Sequence, residues 1–330
     1  MNYIITGAGG HLGSTILRQL MQNECEINAL ILPGETAKVE NRNIHYTEGN
    51  ICCPESLIPL FERAKGRETT VIHTAGVVSI SSSVTGELYD VNVKGTGNII
   101  DLCRRYYTAR LVYVSSVHAI PELPVGETIT EVEKYPSDVV IGGYARTKAQ
   151  ATQLVLDASG RGMDAVVVCP SGIIGPYDEG RNHLIQLISS ALEGRLPACV
   201  RGGYDFVDVR DVAYGCLAAA EKGKSGNSYI LSGHYATIED MLEILSSITG
   251  CRMPPVIPLW MARIAAPVIE NIARRRGRRP IYTRYSLYTL VSNSCFSHGK
   301  ASAELGYCPR GLADTLRDTA EWLRMHKPGQ

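Results

Sequence analysis

The chain has 330 residues, enough for one large domain or two modest ones. Its 33 Lys and Arg balance its 33 Asp and Glu, so it carries no long-range field that would attract nucleic acid or another charged polymer. Apolar residues make up 45% of the chain and charged residues 20%, which excludes a disordered protein, since that would be poorer in apolar residues.

The ten cysteines show neither a disulfide framework nor a zinc motif. No C-x-x-C occurs, and several cysteines lie in apolar runs, among them Cys103, Cys169 and Cys216. We therefore expect buried free thiols in a reducing compartment. His183 and His234 have no partners at a metal-ligating spacing, so no metal site is expected.

Membrane and secretory segments are not expected either. No apolar stretch of 18 or more residues lacks charge or proline, and the best candidate, residues 255–273, contains Pro258, Arg263 and Pro267. The chain runs from Met1 almost directly into an apolar segment, without a basic leader or a cleavage site. These features predict a cytoplasmic protein.

In the first half of the chain, short β-branched runs alternate with helical patterns. Strands are predicted at Tyr3–Thr6, Ile27–Leu32, Ile44–Tyr46, Val71–His73, Arg110–Val114 and Ala165–Cys169. Helices are predicted at Leu12–Gln22, Ser56–Lys65, Tyr89–Tyr106 and Tyr144–Ser159. The strand runs are apolar on both faces, as in buried parallel strands. This alternation predicts an α/β protein with a doubly wound parallel sheet, the Rossmann fold.

The pattern changes after Pro170. The Gly- and Pro-rich segment Ser171–Asp178 predicts a loop, and the chain from Pro254 shows no strand alternation. The elements predicted in this half are helices at His183–Glu193, Thr237–Thr249 and Leu312–Met325 and a strand at Asn227–Leu231. We expect two units: a dinucleotide-binding domain at 1–170, to which 205–232 return, and a smaller, mostly helical substrate-binding lobe at 171–204 and 233–330.

Three glycines at G-x-x-G-x-x-G spacing separate the first strand from the first helix. They are Gly7, Gly10 and Gly13. Glycine permits a tight turn and the close approach of a pyrophosphate to bare backbone, and the free N–H groups of the helix start bind the anion. The strand–loop–helix context favours dinucleotide binding over a purely structural turn.

The end of the second strand does not show which nicotinamide dinucleotide is bound. An acidic residue there would bind the ribose 2′-hydroxyl of NAD, and an arginine would accept the 2′-phosphate of NADP. The strand ends at Leu32 without either, while Glu35 comes late and Lys38 and Arg42 come later still. We predict NAD or NADP, with a slight preference for NAD.

A Y-x-x-x-K motif formed by Tyr144 and Lys148 lies on a predicted helix, where positions i and i+4 share one face. A lysine cation beside a phenol lowers the pKa of the phenol, so that tyrosine becomes a usable acid and base. An upstream buried strand ends in Ser115 and Ser116, at the sheet edge where α/β proteins bind ligands. There the hydroxyl of Ser116 would orient a carbonyl or alcohol oxygen.

Together these motifs resemble the extended, atypical branch of the short-chain dehydrogenase/reductase superfamily, within the NAD-dependent epimerase/dehydratase family. The resemblance covers nearly the whole chain, at Thr6–Gly13, 73–76, 91–96, Val112–Ser116, Tyr144–Lys148, Pro170–Pro176 and 205–213. The tail at 300–310 is similar to bacterial dihydroflavonol-reductase-like proteins, and 3β-hydroxysteroid dehydrogenases are also close. The family is much less specific for a substrate than for the fold.

The resemblance implies roles for particular residues. Tyr144 would be the acid/base, Lys148 would tune it and bind the nicotinamide ribose, Ser116 would hold the reacting oxygen, and Asn92 would support the active-site water and the lysine. Further cofactor contacts are expected at His11, Leu12, Leu32, Asn50, Ile51, Thr74, Ala75, Gly76, Pro170, Gly172 and Ile173, besides the three glycines of the loop. Substrate contacts are expected at Ser115, His118 and Val78.

Three departures from the family help to choose a reaction. Val117 and His118 stand where 4,6-dehydratases carry Asp-Glu, and Gly172 stands where sugar-nucleotide epimerases usually have Asn. The segment Ala119–Pro121 lacks their Tyr-Gly. These departures favour an NAD(P)-dependent oxidoreductase that reduces a ketone or aldehyde, or oxidises a secondary alcohol. The alternatives are a redox-neutral nucleotide-sugar epimerase that uses the same residues and a non-catalytic dinucleotide sensor.

Three features have more than one interpretation. His118 is either a second proton carrier in the pocket or a packing residue of a loop. The cluster Arg274–Arg279 is a solvated helix end, a contact for an anionic substrate or, with residues 259–273, a peripheral contact to a membrane surface. Members of the family often dimerise through the helices predicted at Tyr89–Tyr106 and Tyr144–Ser159, so a homodimer is an expectation.

Overall fold

The computed structural model describes residues 2–79, 83–178, 182–264 and 283–326, and the Arg274–Arg279 cluster lies outside them. The strands are β1 Asn2–Thr6, β2 Glu26–Ile31, β3 Ile44–Glu48, β4 Thr69–His73, β5 Arg110–Val114, β6 Ala165–Pro170, β7 Gly172–Ile174, β8 Cys199–Val200, β9 Gly203–Asp208, β10 Ser228–Leu231, β11 His234–Thr237 and β12 Val256–Ile257. The α-helices are α1 His11–Leu20, α2 Pro54–Ala64, α3 Gly86–Tyr89, α4 Thr96–Arg105, α5 Gly143–Gly160, α6 His183–Leu192, α7 Val209–Lys222, α8 Ile238–Thr249, α9 Arg284–Thr289, α10 Gly299–Leu305 and α11 Leu312–Met325.

Seven strands form one parallel sheet in the order β10-β6-β5-β4-β1-β2-β3. The predicted doubly wound sheet is therefore confirmed. Strand order reverses between β1 and β4, so the loops that follow these two strands diverge to opposite faces of the sheet. The crevice at this switch point is where open α/β sheets bind ligands.

Alternate residues of the central strand β1 serve two cores. Tyr3 and Ile5 pack with residues of α1 and α7 on one face of the sheet, and Ile4 packs with residues of α2, α4 and α5 on the other. All five residues of β1 are buried. This two-sided burial explains why the strand reads as a continuous apolar run rather than as an alternating one.

A second, three-stranded sheet has the order β11-β9-β7, with β9 parallel to β7 and antiparallel to β11. Its core is shared with α6, α8 and α11, which contribute Ile185, Leu242 and Leu316. Strands β8 and β12, which also come from the second half of the chain, form a short parallel pair. The expected loop at Ser171–Asp178 is thus wrong over β7, because pairing with β9 turns three loop-like residues into a strand.

The expected helix at Tyr89–Tyr106 consists of three segments rather than one. Between α3 and α4, the segment Asp90–Gly95 is a π-helix. Such insertions are rare in helices and frequent at functional sites. This one carries Asn92, which is buried. Helix α7 was not predicted, although its N-cap is a clear one: the Asp208 side chain accepts a hydrogen bond from the backbone N–H of Arg210.

All ten cysteines are free thiols, and Cys103, Cys169 and Cys216 are buried, as expected. Burial raises the pKa of each of these three thiols to about 12. They are therefore packing residues and not reactive nucleophiles. Among the helices in the described part of the chain, not one is both long and apolar enough to cross a membrane.

Candidate active site

The glycine loop connects β1 to α1 in a closed turn. Gly7 has φ of +68°, in the left-handed region that favours glycine, and a Cβ there would lie 2.8 Å from the backbone nitrogen of Ala75. A Cβ at Gly13 would overlap the carbonyl oxygen of Gly7. The N-cap of α1 is Gly10, which offers no side-chain cap to the first N–H groups of the helix. These unsatisfied donors fit a pyrophosphate.

The segment after β4 is held against this loop by Thr6, the last residue of β1. The hydroxyl of Thr6 accepts a hydrogen bond from the N–H of Ala75 at 3.2 Å, and the hydroxyl of Thr74 donates to the carbonyl of Thr6 at 2.7 Å. Gly76 follows in the chain. A Cβ at this position would lie 3.2 Å from Asn92 Oδ1 and 3.5 Å from Lys148 Nζ, so both side chains lie close to Gly76. The segment 74–76 therefore contacts the predicted dinucleotide loop on one side and the predicted catalytic lysine on the other.

Ser116, Tyr144 and Lys148 come together in the fold. Ser116 follows β5, and its side chain lies close enough to the phenol of Tyr144, in the first turn of α5, to influence the pKa of that phenol. Lys148 lies one turn further along α5, and its Nζ donates to the carbonyl of Val114 at 2.7 Å and to the hydroxyl of Tyr113 at 3.3 Å. Exposure is 7% for Ser116, 8% for Tyr144 and 5% for Lys148, so water has little access to the set.

The pKa values differ from the sequence-based expectation. Burial raises the pKa of Tyr144 to about 12, and the interaction with Ser116 opposes this only in part. The expected lowering by Lys148 is not seen, because the ammonium group is directed to Val114 and Tyr113. Burial also lowers the pKa of Lys148 to about 8. At neutral pH the site therefore presents a protonated phenol beside a lysine that is still charged.

Asn92 links the loop after β4 to α5. Its Oδ1 accepts a hydrogen bond from the N–H of Val77 at 2.8 Å, and its Nδ2 donates to the carbonyl of Val77 at 3.0 Å and to Thr147 Oγ1 at 3.1 Å. The π-helix is what places this side chain between the two segments. Asn92 thus supports the wall of the site next to Lys148, while the role implied for it by the resemblance stays a prediction.

Sequence reasoning missed two aromatic residues beside Tyr144. The His118 ring stacks on Tyr204 at 5.5 Å, with its Nε2 2.8 Å from the Tyr204 hydroxyl. The same ring lies 6.3 Å from both Tyr144 and Tyr285. Burial lowers the pKa of His118 to about 4, so the imidazole is neutral. Tyr204 is on β9 and Tyr285 is on α9, both far from Tyr144 along the chain, and no local sequence motif predicts a role for either residue.

The other predicted residues have the following surroundings. The Ser115 hydroxyl lies 2.5 Å from Thr152 Oγ1 on α5, and Val78 is 65% exposed. His11 Nε2 lies 2.8 Å from the carbonyl of Pro176, Asn50 Oδ1 accepts from the N–H of Cys52, and Ile51 packs against Gly95. Gly172 lies against Tyr204, and the carbonyl of Ile173 accepts from Asn182. Ligand roles for these residues remain predictions.

Glu35 turns back toward the glycine loop although it comes late in the sequence. A tight turn after β2 brings its carboxylate to the N–H of Leu32, with Oε2 3.2 Å from that nitrogen. A Cβ at Gly9 would collide with the same carboxylate. An acidic group therefore lies beside the glycine loop at the end of β2, close to where an NAD-specific site requires one.

In the residues that the structure describes, no group of three or more His, Cys, Asp or Glu side chains is arranged to hold a metal ion.

The doubly wound sheet, the glycine loop at its switch point and the buried Ser–Tyr–Lys set together define a dinucleotide-dependent oxidoreductase of the short-chain type.

Comparison with known proteins agrees with this class of enzyme. Residues 3–232 match the model of the NAD dependent epimerase/dehydratase family, and the chain belongs to that family. A putative dihydroflavonol 4-reductase of Synechocystis is 30% identical over 98% of this chain and 95% of that protein. A ketoreductase of Stigmatella aurantiaca, which acts on a 4-hydroxy-2-methyl-3-oxo-4-farnesyl-3,4-dihydroquinoline-1-oxide, is 31% identical over 94% and 92%. The fold is also that of Thermus thermophilus UDP-glucose 4-epimerase in complex with NAD, at a TM-score of 0.76 and 22% identity over 98% and 99%.

Proposed function

We propose that this protein transfers hydride between a nicotinamide dinucleotide and the carbon of a ketone, aldehyde or secondary alcohol, with Tyr144 as the acid/base. The observation that carries the proposal is the buried contact between Ser116 and the Tyr144 phenol, with Lys148 one helical turn away. Because the pKa of Tyr144 is raised to about 12, the phenol holds its proton at neutral pH, which suits donation to a carbonyl oxygen.

The described residues fit a dinucleotide. Bare backbone at the glycine loop suits the pyrophosphate, and Lys148 stands next to Gly76 on the side where the nicotinamide ribose would bind. The bound nicotinamide supplies or accepts the hydride. Ser116 then orients the reacting oxygen by a hydrogen bond, and Tyr144 donates a proton to it in reduction or accepts one in oxidation. The protonated Lys148 favours negative charge that develops on the phenol oxygen.

Two observations favour net oxidoreduction over epimerisation of a sugar nucleotide. Besides Ser116 and Lys148, the residues near Tyr144 include the rings of His118, Tyr204 and Tyr285, which are all uncharged at neutral pH. Such a surface suits an uncharged, largely apolar carbonyl compound better than a diphosphate. The relatives named a dihydroflavonol 4-reductase and a ketoreductase point the same way.

We propose the following organisation for the chain. Residues 1–170 with 205–232 bind the dinucleotide, and residues 171–204 and 233–330 shape the substrate space. Tyr204 and Tyr285 support this division, because both come from the second group and reach the His118 ring of the first. Formation of a homodimer and a cytoplasmic location stay predictions.

The direct test follows nicotinamide absorbance with a panel of ketosteroids, dihydroflavonols, aromatic aldehydes and nucleotide sugars, each with NADH and with NADPH. We expect stoichiometric loss of the reduced cofactor with an uncharged ketone or aldehyde. A nucleotide sugar that is converted without any change in absorbance would show an epimerase instead. Cofactor binding without any product in any well would show a sensor.

Cofactor choice is a separate prediction. We propose that Glu35 makes the protein prefer NAD, because its carboxylate beside Gly9 would repel a 2′-phosphate and accept a hydrogen bond from a 2′-hydroxyl. Replacing Glu35 by Ala should reduce the NADH preference about 10- to 100-fold, the effect of one hydrogen bond to a charged group. Dissociation constants for NADH and NADPH, measured by fluorescence, check this, with Glu40→Ala as the control. An unchanged ratio would contradict it.

A pH dependence also follows from the site. Lys148 has a pKa lowered to about 8, so its charge is present below that pH and is lost above it. If the charged lysine is needed, kcat for carbonyl reduction at saturating cofactor should be flat near neutrality and fall about tenfold per pH unit well above this pKa. A rate that holds constant to a pH of about 10, with the protein still folded by circular dichroism, would argue against the requirement.

A further inference from the structure

We propose that Tyr113 is a positioning residue for Lys148: its ring and hydroxyl hold the ammonium group in place, and the ring itself packs beside a buried hydrogen-bond chain that runs through His73 to the end of β1. Tyr113 is on β5, under the site, and the sequence analysis assigns no role to it although it lies in the segment Val112–Ser116. The inference rests on the proposed function only for its effect on turnover, because the state of Lys148 itself is measurable without a substrate.

The contacts around Tyr113 reach further than Lys148. Lys148 Nζ donates to the Tyr113 hydroxyl at 3.3 Å, and the Tyr113 ring lies beside the His73 ring, with the centroids 5.6 Å apart. His73 belongs to a buried hydrogen-bond chain. Thr96 Oγ1 donates its own proton to the carbonyl of Asn92 at 2.7 Å, so it accepts from His73 Nε2, which lies 3.1 Å away.

The far end of the chain is equally determined. Because His73 donates through Nε2, its Nδ1 accepts, and the donor is the hydroxyl of Thr6 at 2.7 Å. Thr6 in turn accepts from the N–H of Ala75 at 3.2 Å. Burial and the nearby Lys148 lower the pKa of His73 to about 3, which agrees with the neutral ring that this pattern requires. Tyr113 thus lies between Lys148 and a hydrogen-bond chain that reaches the loops predicted to hold the cofactor.

Lys148 depends on Tyr113 because its charge has few other partners. It is 5% exposed, and in the described part of the chain no carboxylate forms an ion pair with it. A buried ammonium without a counter-ion is costly and tends to lose its proton. What stabilises the charge here is the carbonyl of Val114 at 2.7 Å and Tyr113, whose ring centroid lies 4.9 Å from Nζ.

The test measures the titration of Lys148 directly. Protein labelled with ¹³C at lysine Cε is titrated by NMR without substrate, and Lys148→Arg assigns the resonance. In Tyr113→Phe the ring stays and the hydroxyl is lost, so we expect the pKa of Lys148 to fall by about half to one pH unit. Tyr113→Leu also removes the ring face and should lower it further. The alkaline limb of the kcat profile should move by the same amount.

The control is Tyr229→Phe. Tyr229 is a fully buried tyrosine on β10 whose hydroxyl bonds to Glu304, away from Lys148, so the variant loses a hydroxyl of the same kind. It should leave the titration of Lys148 unchanged. An identical pKa of Lys148 in Tyr113→Phe and in the unchanged protein would overturn the proposal. If no carbonyl is turned over, the proposed function fails, but the NMR titration still decides the role of Tyr113.

Discussion

Replacing Tyr144 by Phe should reduce kcat for carbonyl reduction by about 10²–10⁴-fold, the usual contribution of a positioned general acid. The variant keeps the ring, which is 8% exposed and lies against His118, so packing should change little. What it loses is the hydroxyl beside Ser116, the only proton donor that we assign to the reacting oxygen. The dissociation constant for the dinucleotide should stay within about twofold, since Phe removes no contact to the glycine loop.

The measurement pairs steady-state kinetics with fluorescence titration of the cofactor. Tyr229→Phe serves again as the matched control, because it removes a buried phenol hydroxyl outside the site and should retain the full kcat. Turnover by Tyr144→Phe at a rate close to that of the unchanged protein would refute the assignment of the acid/base. A loss of cofactor affinity as large as the loss of kcat would show that the substitution damaged the site as a whole.

Replacing Gly13 by Ala should weaken dinucleotide binding by about 10- to 100-fold, as expected when one hydrogen bond to an anion is lost. A methyl group at this position would overlap the carbonyl oxygen of Gly7, which is backbone and cannot turn away. The start of α1 would have to move from the loop, and with it the N–H groups that we expect to bind the pyrophosphate. We also expect a loss of about 1–3 kcal/mol in the free energy of unfolding, the usual cost of overpacking.

Gly97→Ala is the control for this substitution. Gly97 lies in α4, and a Cβ there meets no atom within 4 Å. Alanine in a helix with open space should stabilise the protein by up to about 1 kcal/mol and leave cofactor binding unchanged. Urea unfolding and fluorescence titration of both variants decide the matter. Equal cofactor affinity in Gly13→Ala and in the unchanged protein would show that the glycine loop does not need the close contact.

Much of the dinucleotide half of the protein was predictable from local sequence. The glycine loop between a strand and a helix, the Y-x-x-x-K pair and the serines that end β5 each depend on short-range geometry. The six strands predicted in this half all appear in the sheet. Most of them are buried on both faces and read as apolar runs, while β3 is an edge strand in which only Ile44 is buried. These patterns also sufficed to predict the family.

The second half was harder, because its strands owe their form to their partners. Strand β7 consists of Gly172–Ile174 inside a Gly- and Pro-rich segment, and it is a strand because it pairs with β9. The same holds for β12, which has two residues and pairs with β8. Intrinsic β-propensity is weak and depends on context, so three residues beside glycine and proline carry no readable signal.

The pKa of Tyr144 also depends on more than local sequence. Spacing alone predicts that Lys148 lowers the pKa of Tyr144, since the two share a helix face. In the structure, burial dominates, and Nζ is directed to Val114 and Tyr113 on the neighbouring strand. Which group faces a charge, and how much water reaches it, are properties of the tertiary packing and not of the spacing along one helix.

The sequence by itself determined the fold class, the dinucleotide loop and the position of Ser116, Tyr144 and Lys148. The loop depends on β1 and α1 alone, and the three side chains depend on β5 and α5 alone, so each feature is encoded within one strand–helix pair. Only the tertiary structure placed Tyr204 and Tyr285 beside the His118 ring, turned the Glu35 carboxylate toward the glycine loop, and set Tyr113 under Lys148. Those contacts join residues far apart in the chain or on different elements. They form only when the strands and helices pack, so no short motif encodes them.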